Sequence, residues 1–234
     1  MTAVHANTHQ TPVRSAKTAT VFDFHQARNK QAIKKAAEER EIPFLVHFTQ
    51  VENLPGILQH GIISREHAAM LNTELHVTDL YRFDNRLDAV SLSIAFPNSP
   101  MFYRKRQDFP ACNWVVLLLE SRILWEKDCA FYHTNAASNQ MRYVTERSLR
   151  SERALRGMFY PCANRDRQGL RSYDPTDVQA EVMVCDVIEP EYIGAAVFQD
   201  HKMMNACNDL FADMDVQLGV QALDLFERRE CARR

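Results

Sequence analysis

The residue pattern predicts an α+β fold around a split antiparallel sheet. Three observations carry this. Short apolar, often β-branched runs recur at 44–49, 90–96, 113–119, 180–188 and 193–198, bounded by turn-forming or polar residues. Helical patterns fall at 22–40, 52–60, 64–71, 121–126, 146–156 and 201–211. Strands and helices do not alternate regularly, which disfavours a parallel βαβ arrangement.

Residues 1–20 are polar and rich in Thr and Ala, and read as a mobile lead-in. The basic helix over 22–40 completes an N-terminal extension, residues 1–40, ahead of one domain spanning 41–234. Phe44–Thr49 is the first strand; its polar His47 and Thr49 stand two apart and share one face. Glu52–His60 follows as a short helix, with Pro55 in its first turns and Gly61 as its stop. The strand over 90–96 carries Ser91 and Ser93 on a common face. Late in the chain, Asp215–Val220 alternates apolar residues and predicts a short closing element.

Bulk properties bound the function classes. A chain of 234 residues can bury a full core, and 46% hydrophobic with 25% charged residues is a soluble composition. Net charge is -2, so no global field draws the protein to nucleic acid, and any such contact must be local. Six scattered cysteines without a CxxC pair read as reduced thiols of a cytoplasmic protein, with no zinc site or disulfide framework. No early apolar stretch reaches signal or membrane length, so no membrane role is expected.

Glu181 is the most informative residue. It stands among apolar neighbours in Gln179–Cys185. A carboxylate in a buried strand costs several kcal/mol unless paired or opened to a cleft. It is therefore either an edge-strand residue facing water or a functional carboxylate in a cleft. Arg82 and Arg86 precede the Ser91 strand, where an arginine fork suits a diphosphate; surface pairs Arg82–Asp84 and Arg86–Asp88 are the plain alternative.

Two basic segments suit nucleic acid. Ser99–Arg106 interleaves Phe102 and Tyr103 with Arg104, Lys105 and Arg106, a composition for stacking bases and holding phosphates, or else a solvated loop. Residues 147–171 hold seven arginines (147, 150, 153, 156, 165, 167 and 171) against Glu152 and Asp166, a local charge near +5. Arg147, Arg150 and Arg153 drift along one helical face, and guanidinium groups both stack on bases and pair with phosphates.

Taken together, His47-Phe48-Thr49, Asn53-Leu54, Asn85-Arg86-Leu87-Asp88 before Ser91-Leu92-Ser93, Ser99-Pro100-Met101 and Gln179-Ala180-Glu181-Val182 resemble the DarT family of DNA-base ADP-ribosyltransferase toxins. The resemblance covers roughly residues 42–200. It implies an ADP-ribosyltransferase fold, a split-sheet cleft for NAD+ as co-substrate, transfer to a base of single-stranded DNA, and a macrodomain antitoxin, DarG, as partner. It implies Glu181 as the catalytic carboxylate and Arg86 as the arginine that holds NAD+ phosphate and aligns the acceptor, with Arg82 near enough to compete. His47, Thr49, Asn53, Ser91 and Met101 would contact NAD+. Tyr103, Arg104, Arg106, Arg150, Arg153, Arg165 and Arg167 would contact DNA, with residues 160–178 as the substrate-reading loop. Thymidine-modifying members carry a Thr-Asp-Gly-His-like stretch near Phe131–Ala137; here the histidine falls at His133 and Ala137 takes the later place. The target base thus stands between thymine and guanine. An RNA- or protein-directed transferase, and a non-enzymatic single-strand binder, are the other classes the residues permit.

Overall fold

A computed structural model describes residues 21–71, 86–141, 143–162 and 164–227. The alternative arginine, Arg82, and the lead-in over 1–20 lie outside these residues. Among the described residues the helices are α1 (Val21–Glu39), α2 (Leu54–His60), α3 (Arg65–Met70), α4 (Ser99–Asp108), α5 (Ile123–Glu126), α6 (Glu146–Leu149), α7 (Glu152–Gly157), α8 (Asn164–Arg167) and α9 (His201–Cys207). The strands are β1 (Leu45–Gln50), β2 (Val90–Ile94), β3 (Trp114–Leu119), β4 (Cys129–Tyr132), β5 (Glu181–Val184), β6 (Ile193–Phe198) and β7 (Gln217–Val220).

The strands form one sheet in the order β4-β5-β2-β1-β3-β6-β7. All neighbours are antiparallel except β6 and β7, which run parallel. The sheet is split at its middle. β1 pairs with β3 along six residues, Leu45 to Gln50. With β2 it pairs only at Leu45–Ile94 and Val46–Ser93, after which the two strands part.

The two faces of this sheet differ. One carries a continuous apolar core, in which Leu45, Leu92, Leu117 and Val182 pack under Ile33, Ala36 and Ala37 of α1, Leu54 and Ile57 of α2, and Leu155 of α7. The opposite face holds two separate patches. Val46, Phe102, Trp114, Val116 and Phe226 form one beneath α4 and the chain's last described turn. Ala130, Tyr132, Met141, Leu149 and Met183 form the other, beneath α6. Strand alternation places Ser91, Ser93 and Glu181 on this broken face, between the patches.

Local chemistry sets the turns that shape it. Gly61 ends α2 at φ +83, and a Cβ there would lie 2.5 Å from the Ile188 carbonyl oxygen, so only glycine fits. Ala95 holds a left-handed φ of 59 just past β2. A non-glycine residue there carries strain of order 1 kcal/mol. The turn delivers Asn98, whose backbone N–H donates to Ser93 Oγ at 3.1 Å and whose side chain caps α4 through Met101 N–H at 3.3 Å.

Several expected elements differ in detail. The single helix over 146–156 is broken into α6 and α7, because Ser151 is extended and caps Ala154 N–H at 3.2 Å. Ser99–Arg106 is helical rather than a loop, with Pro100 in its first turn. The strand expected over 180–188 is shorter, β5, and β4 was not among the expected strands. Asp215–Val220 supplies β7 at the sheet edge.

Candidate active site

Glu181 opens β5 and pairs with Tyr132 across the ladder to β4. Its side chain is only 4% exposed, which rules out the edge-strand reading. Its Oε2 accepts from Ala136 N–H at 2.9 Å, so the loop after β4 wraps over the carboxylate. Antiparallel register brings Ser93 beside it on the same face, and Ser93 is itself buried and ties to Asn98. The result is a polar stripe of Ser91, Ser93 and Glu181, walled by the α4 patch on one side and the Tyr132–Met183 patch on the other. A buried carboxylate on such a stripe can stabilise positive charge developing on a substrate held there.

His47 and Thr49 take the other parity of β1, on the side of Leu45, and so do not share the face of Glu181. They line the split itself. His47 Nδ1 lies 3.2 Å from the Ser91 carbonyl oxygen, across the point where β1 and β2 part. Asn53, in the 3-10 turn after β1, donates to Thr49 Oγ1 at 2.9 Å. These three residues form one group at the open end of the split, while Met101, half-buried in the first turn of α4, stands at the other wall.

Arg86 lies on the Glu181 face and packs over β4 and β5. It donates to Asp88 in a bidentate pair at 2.8 and 3.0 Å, to Tyr132 Oη at 3.3 Å and to Cys185 Sγ at 3.0 Å. It also pairs with Glu146 at 3.1 Å. The Asp88 hydrogen bond raises the guanidinium further above its ordinary range, and Arg86 in turn holds the Asp88 carboxyl below its own. Glu146 is held low by Arg150 and then Arg86. Burial pushes the Cys185 thiol up despite the two guanidinium groups beside it. Asp88, Glu146 and Cys185 bring ligand atoms within 4.8 Å of one another, but the cations among them are already those of Arg86 and Arg150.

The expected DNA-contacting arginines divide into two kinds. Arg150 pairs with Asp128 and Glu146. Arg165 staples its loop, donating to the Asp174 carbonyl at 3.0 Å, Thr176 Oγ1 at 2.8 Å and the Arg171 carbonyl at 2.9 Å. Arg106 donates to the Phe226 carbonyl and stacks over Phe102 at 4.8 Å, holding the C-terminal turn onto α4. These three have structural work. Arg153, Arg167 and Arg104 are exposed, the last beside Asp108 at 3.8 Å, and Tyr103 is half-buried. Near the Glu181 end of β5, His133 meets Tyr160 edge-on with centroids 6.3 Å apart, and Tyr160 is 42% exposed.

Sequence reasoning missed the partners of Arg86. Asp88 was visible two residues away, but Tyr132, Glu146 and Cys185 come from distant segments with no shared motif. It also passed over Asn98, whose place before Pro100 marks a helix cap.

Solved structures share the fold. Thermus sp. 2.9 DarT in complex with NAD+ aligns at TM-score 0.53 and 14% identity, covering 80% of this chain and 98% of that one. The same protein with ADP-ribosylated ssDNA aligns at TM-score 0.53 and 12% identity, covering 80% and 97%. Thermosipho africanus DarTG in complex with ADP-ribose aligns at 0.53 and 16%, covering 80% of this chain and 52% of that one. The chain thus spans nearly all of the Thermus protein and about half of the Thermosipho one. No curated protein matches the sequence. The family model for the ssDNA thymidine ADP-ribosyltransferase DarT matches residues 46–223, and the chain belongs to that family. Among the described residues, no helix is long and apolar enough to cross a membrane.

Proposed function

We propose that this chain transfers ADP-ribose from NAD+ to a thymine base in single-stranded DNA. The observation that carries the reading is Glu181, a buried carboxylate on the polar stripe of a DarT-family fold. NAD+ is the substrate that the Thermus relative holds, and ADP-ribosylated ssDNA is its product complex. The thymidine specificity of the matched family favours thymine over guanine.

The chemistry assigns the roles. The bond between nicotinamide and the ribose anomeric carbon breaks with its electron pair leaving on nicotinamide. Glu181 faces the oxocarbenium-like charge that this creates. His47, Thr49 and Asn53 at the mouth of the split, with Ser91 and Met101, bind the dinucleotide, and Arg86 meets its diphosphate. Thymidine has one ring nitrogen with a proton, N3, since N1 carries the deoxyribose. N3 attacks the anomeric carbon and its proton must go to a base, a second role open to Glu181. N3 is the paired edge in a duplex. Exposing it there costs a few kcal/mol of unpairing and unstacking, so single-stranded DNA is the substrate. Exposed Arg153 and Arg167, with Tyr160, supply cation and ring contacts for splayed nucleotides. A macrodomain-type, DarG-like antitoxin is the protein partner this reading carries.

The test is transfer of labelled ADP-ribose from NAD+ to matched oligonucleotides. Single-stranded DNA containing thymine should be labelled, with the adduct on thymidine after nuclease digestion. Duplex DNA, RNA and a thymine-free strand should be labelled poorly. Equal labelling of duplex and single strand, or labelling of guanine, RNA or protein alone, refutes the substrate assignment.

A further inference from the structure

We propose that Asn29, on the N-terminal helix, is a positioning residue for Arg86 and so sets the affinity for NAD+. This rests on the reading above that Arg86 meets NAD+. α1 lies ahead of the stretch matched by the family model, residues 46–223. It packs on α5 and α7. Within it, Asn29 does something its neighbours do not: its amide clasps the broken joint between α6 and α7. Nδ2 donates to the Arg150 carbonyl at 2.8 Å, and Oδ1 accepts from Glu152 N–H at 3.2 Å. One side chain thus satisfies a backbone acceptor and a backbone donor on either side of Ser151.

That joint is where α6 and α7 part. Arg150 closes α6 at φ -88, ψ 36, and Ser151 is extended at φ -127, ψ 154. Backbone groups left unpaired at such a break lose stability wherever water cannot replace the partner, so the clasp fixes the path of the chain. The residues fixed are those that hold Arg86. Arg150 pairs with Asp128 and Glu146, and its Nη2 lies 3.6 Å from Cys185 Sγ. Glu146 Oε1 takes both Arg150 and Arg86, the latter at 3.1 Å. Arg86 then reaches Tyr132 on β4 and Cys185 just past β5, at the Glu181 face. From Asn29 to Arg86 the contacts are continuous through Arg150 and Glu146. A shift of the joint moves Glu146, and with it the aim of a guanidinium whose use depends on its angle to a diphosphate.

A helix that merely covers core would stabilise the fold without touching affinity. The experiment separates the two. NAD+ dissociation constants are measured by calorimetry without DNA for the wild type, Asn29→Ala, Arg86→Ala, the double variant and Lys30→Ala, alongside thermal melts. Lys30 docks the same helix by donating to the Glu126 carbonyl at 2.9 Å, away from the joint. Asn29→Ala should weaken NAD+ binding roughly threefold to tenfold. Lys30→Ala should leave it unchanged whatever its melting temperature. In the Arg86→Ala background, Asn29→Ala should add nothing. Unchanged affinity in Asn29→Ala, or its full effect persisting without Arg86, overturns the proposal. If Asn29→Ala does not fold, Asn29→Asp keeps the acceptor for Glu152 N–H and loses the donor to Arg150; unchanged affinity there overturns it equally. A wild type that binds NAD+ but modifies no DNA sinks the acceptor reading alone, and the affinity series still decides this one. A wild type that binds no NAD+, or an Arg86→Ala variant with full affinity, sinks both.

Discussion

Replacing Glu181 by Gln removes one charge and almost nothing else. The side chain is 4% exposed, and the amide oxygen of Gln can still accept from Ala136 N–H, which lies 2.9 Å from Oε2. Shape and packing are kept. What disappears is the attraction between a carboxylate and the positive charge that grows on ribose as nicotinamide leaves. Opposite unit charges about 4 Å apart interact by about 4 kcal/mol at an effective dielectric of about 20. At about 1.4 kcal/mol per tenfold, this is near 10³ in rate. Water entering the cleft lowers it, so we expect transfer to fall about 10²- to 10³-fold. NAD+ should still bind, because the positive charge shifts from the nicotinamide ring to the ribose only as the bond breaks, and the other contacts to the dinucleotide are unchanged. The melting temperature should hold or rise, since a carboxylate held in the interior costs more than a neutral amide of the same shape. The assay is single-turnover transfer to a thymine-containing strand, with calorimetry for NAD+ and a thermal melt. Transfer in Glu181→Gln within about threefold of wild type would refute the role; failure to fold would show the change was not isosteric.

The other expectations concern the split, the surface and the ion cluster. His47→Ala and Thr49→Ala should each weaken NAD+ binding with a small change in melting temperature, as measured by calorimetry; a large stability loss at unchanged affinity would make them structural. Reversing charge at exposed Arg153 and Arg167 should lower single-strand affinity and reduce the log–log salt slope by roughly 0.7 for each phosphate no longer neutralised, leaving NAD+ affinity alone. An unchanged slope in fluorescence anisotropy titrations would place the DNA elsewhere. Asp88 and Glu146 have folded pKa values held below their ordinary 3.8 and 4.5, chiefly by Arg86 and Arg150 respectively. Their stabilisation is therefore complete above that range and lost as pH falls through the lowered values. Thermal melts from pH 7 down to pH 2 should show this acid limb, and Asp88→Asn should flatten part of it.

How much was legible in the sequence follows from what each signal depends on. β1, β3 and β6 are runs whose composition suits strands whatever their partners, and the structure has them within a residue or two. The burial of Glu181 made a conflict that was legible in the sequence, a charge among Val182, Met183 and Val184, and such conflicts are where a functional site is looked for first. The split was legible as a class but not in place, since it depends on where the β1–β2 ladder stops. α4 was harder. Its Phe102 and Arg106 serve a patch completed by Phe226, more than a hundred residues on, so local polarity misrepresented their burial. The arginine run was only partly legible for a related reason. Formal charge is local, but Arg150 and Arg165 spend theirs on Asp128 and on backbone carbonyls that folding brings near.

The two faces of the sheet explain how the site persists in a stable fold. The continuous face buries the bulk of the aliphatic side chains, with His47 and Thr49 on its parity where β1 parts from β2. The broken face is left with patches that do not meet, and its middle is where Ser91, Ser93 and Glu181 stand. Joining the patches with apolar residues would strengthen the core and close the stripe. On the proposed reading, stability favours the change that transfer would forbid, a trade expected where a charged site sits on an otherwise consistent fold. Glu181→Met makes this concrete: it would extend the Met183 patch with an apolar chain of similar length, set against the lost partner of Ala136 N–H, and it would leave nothing to face the cation.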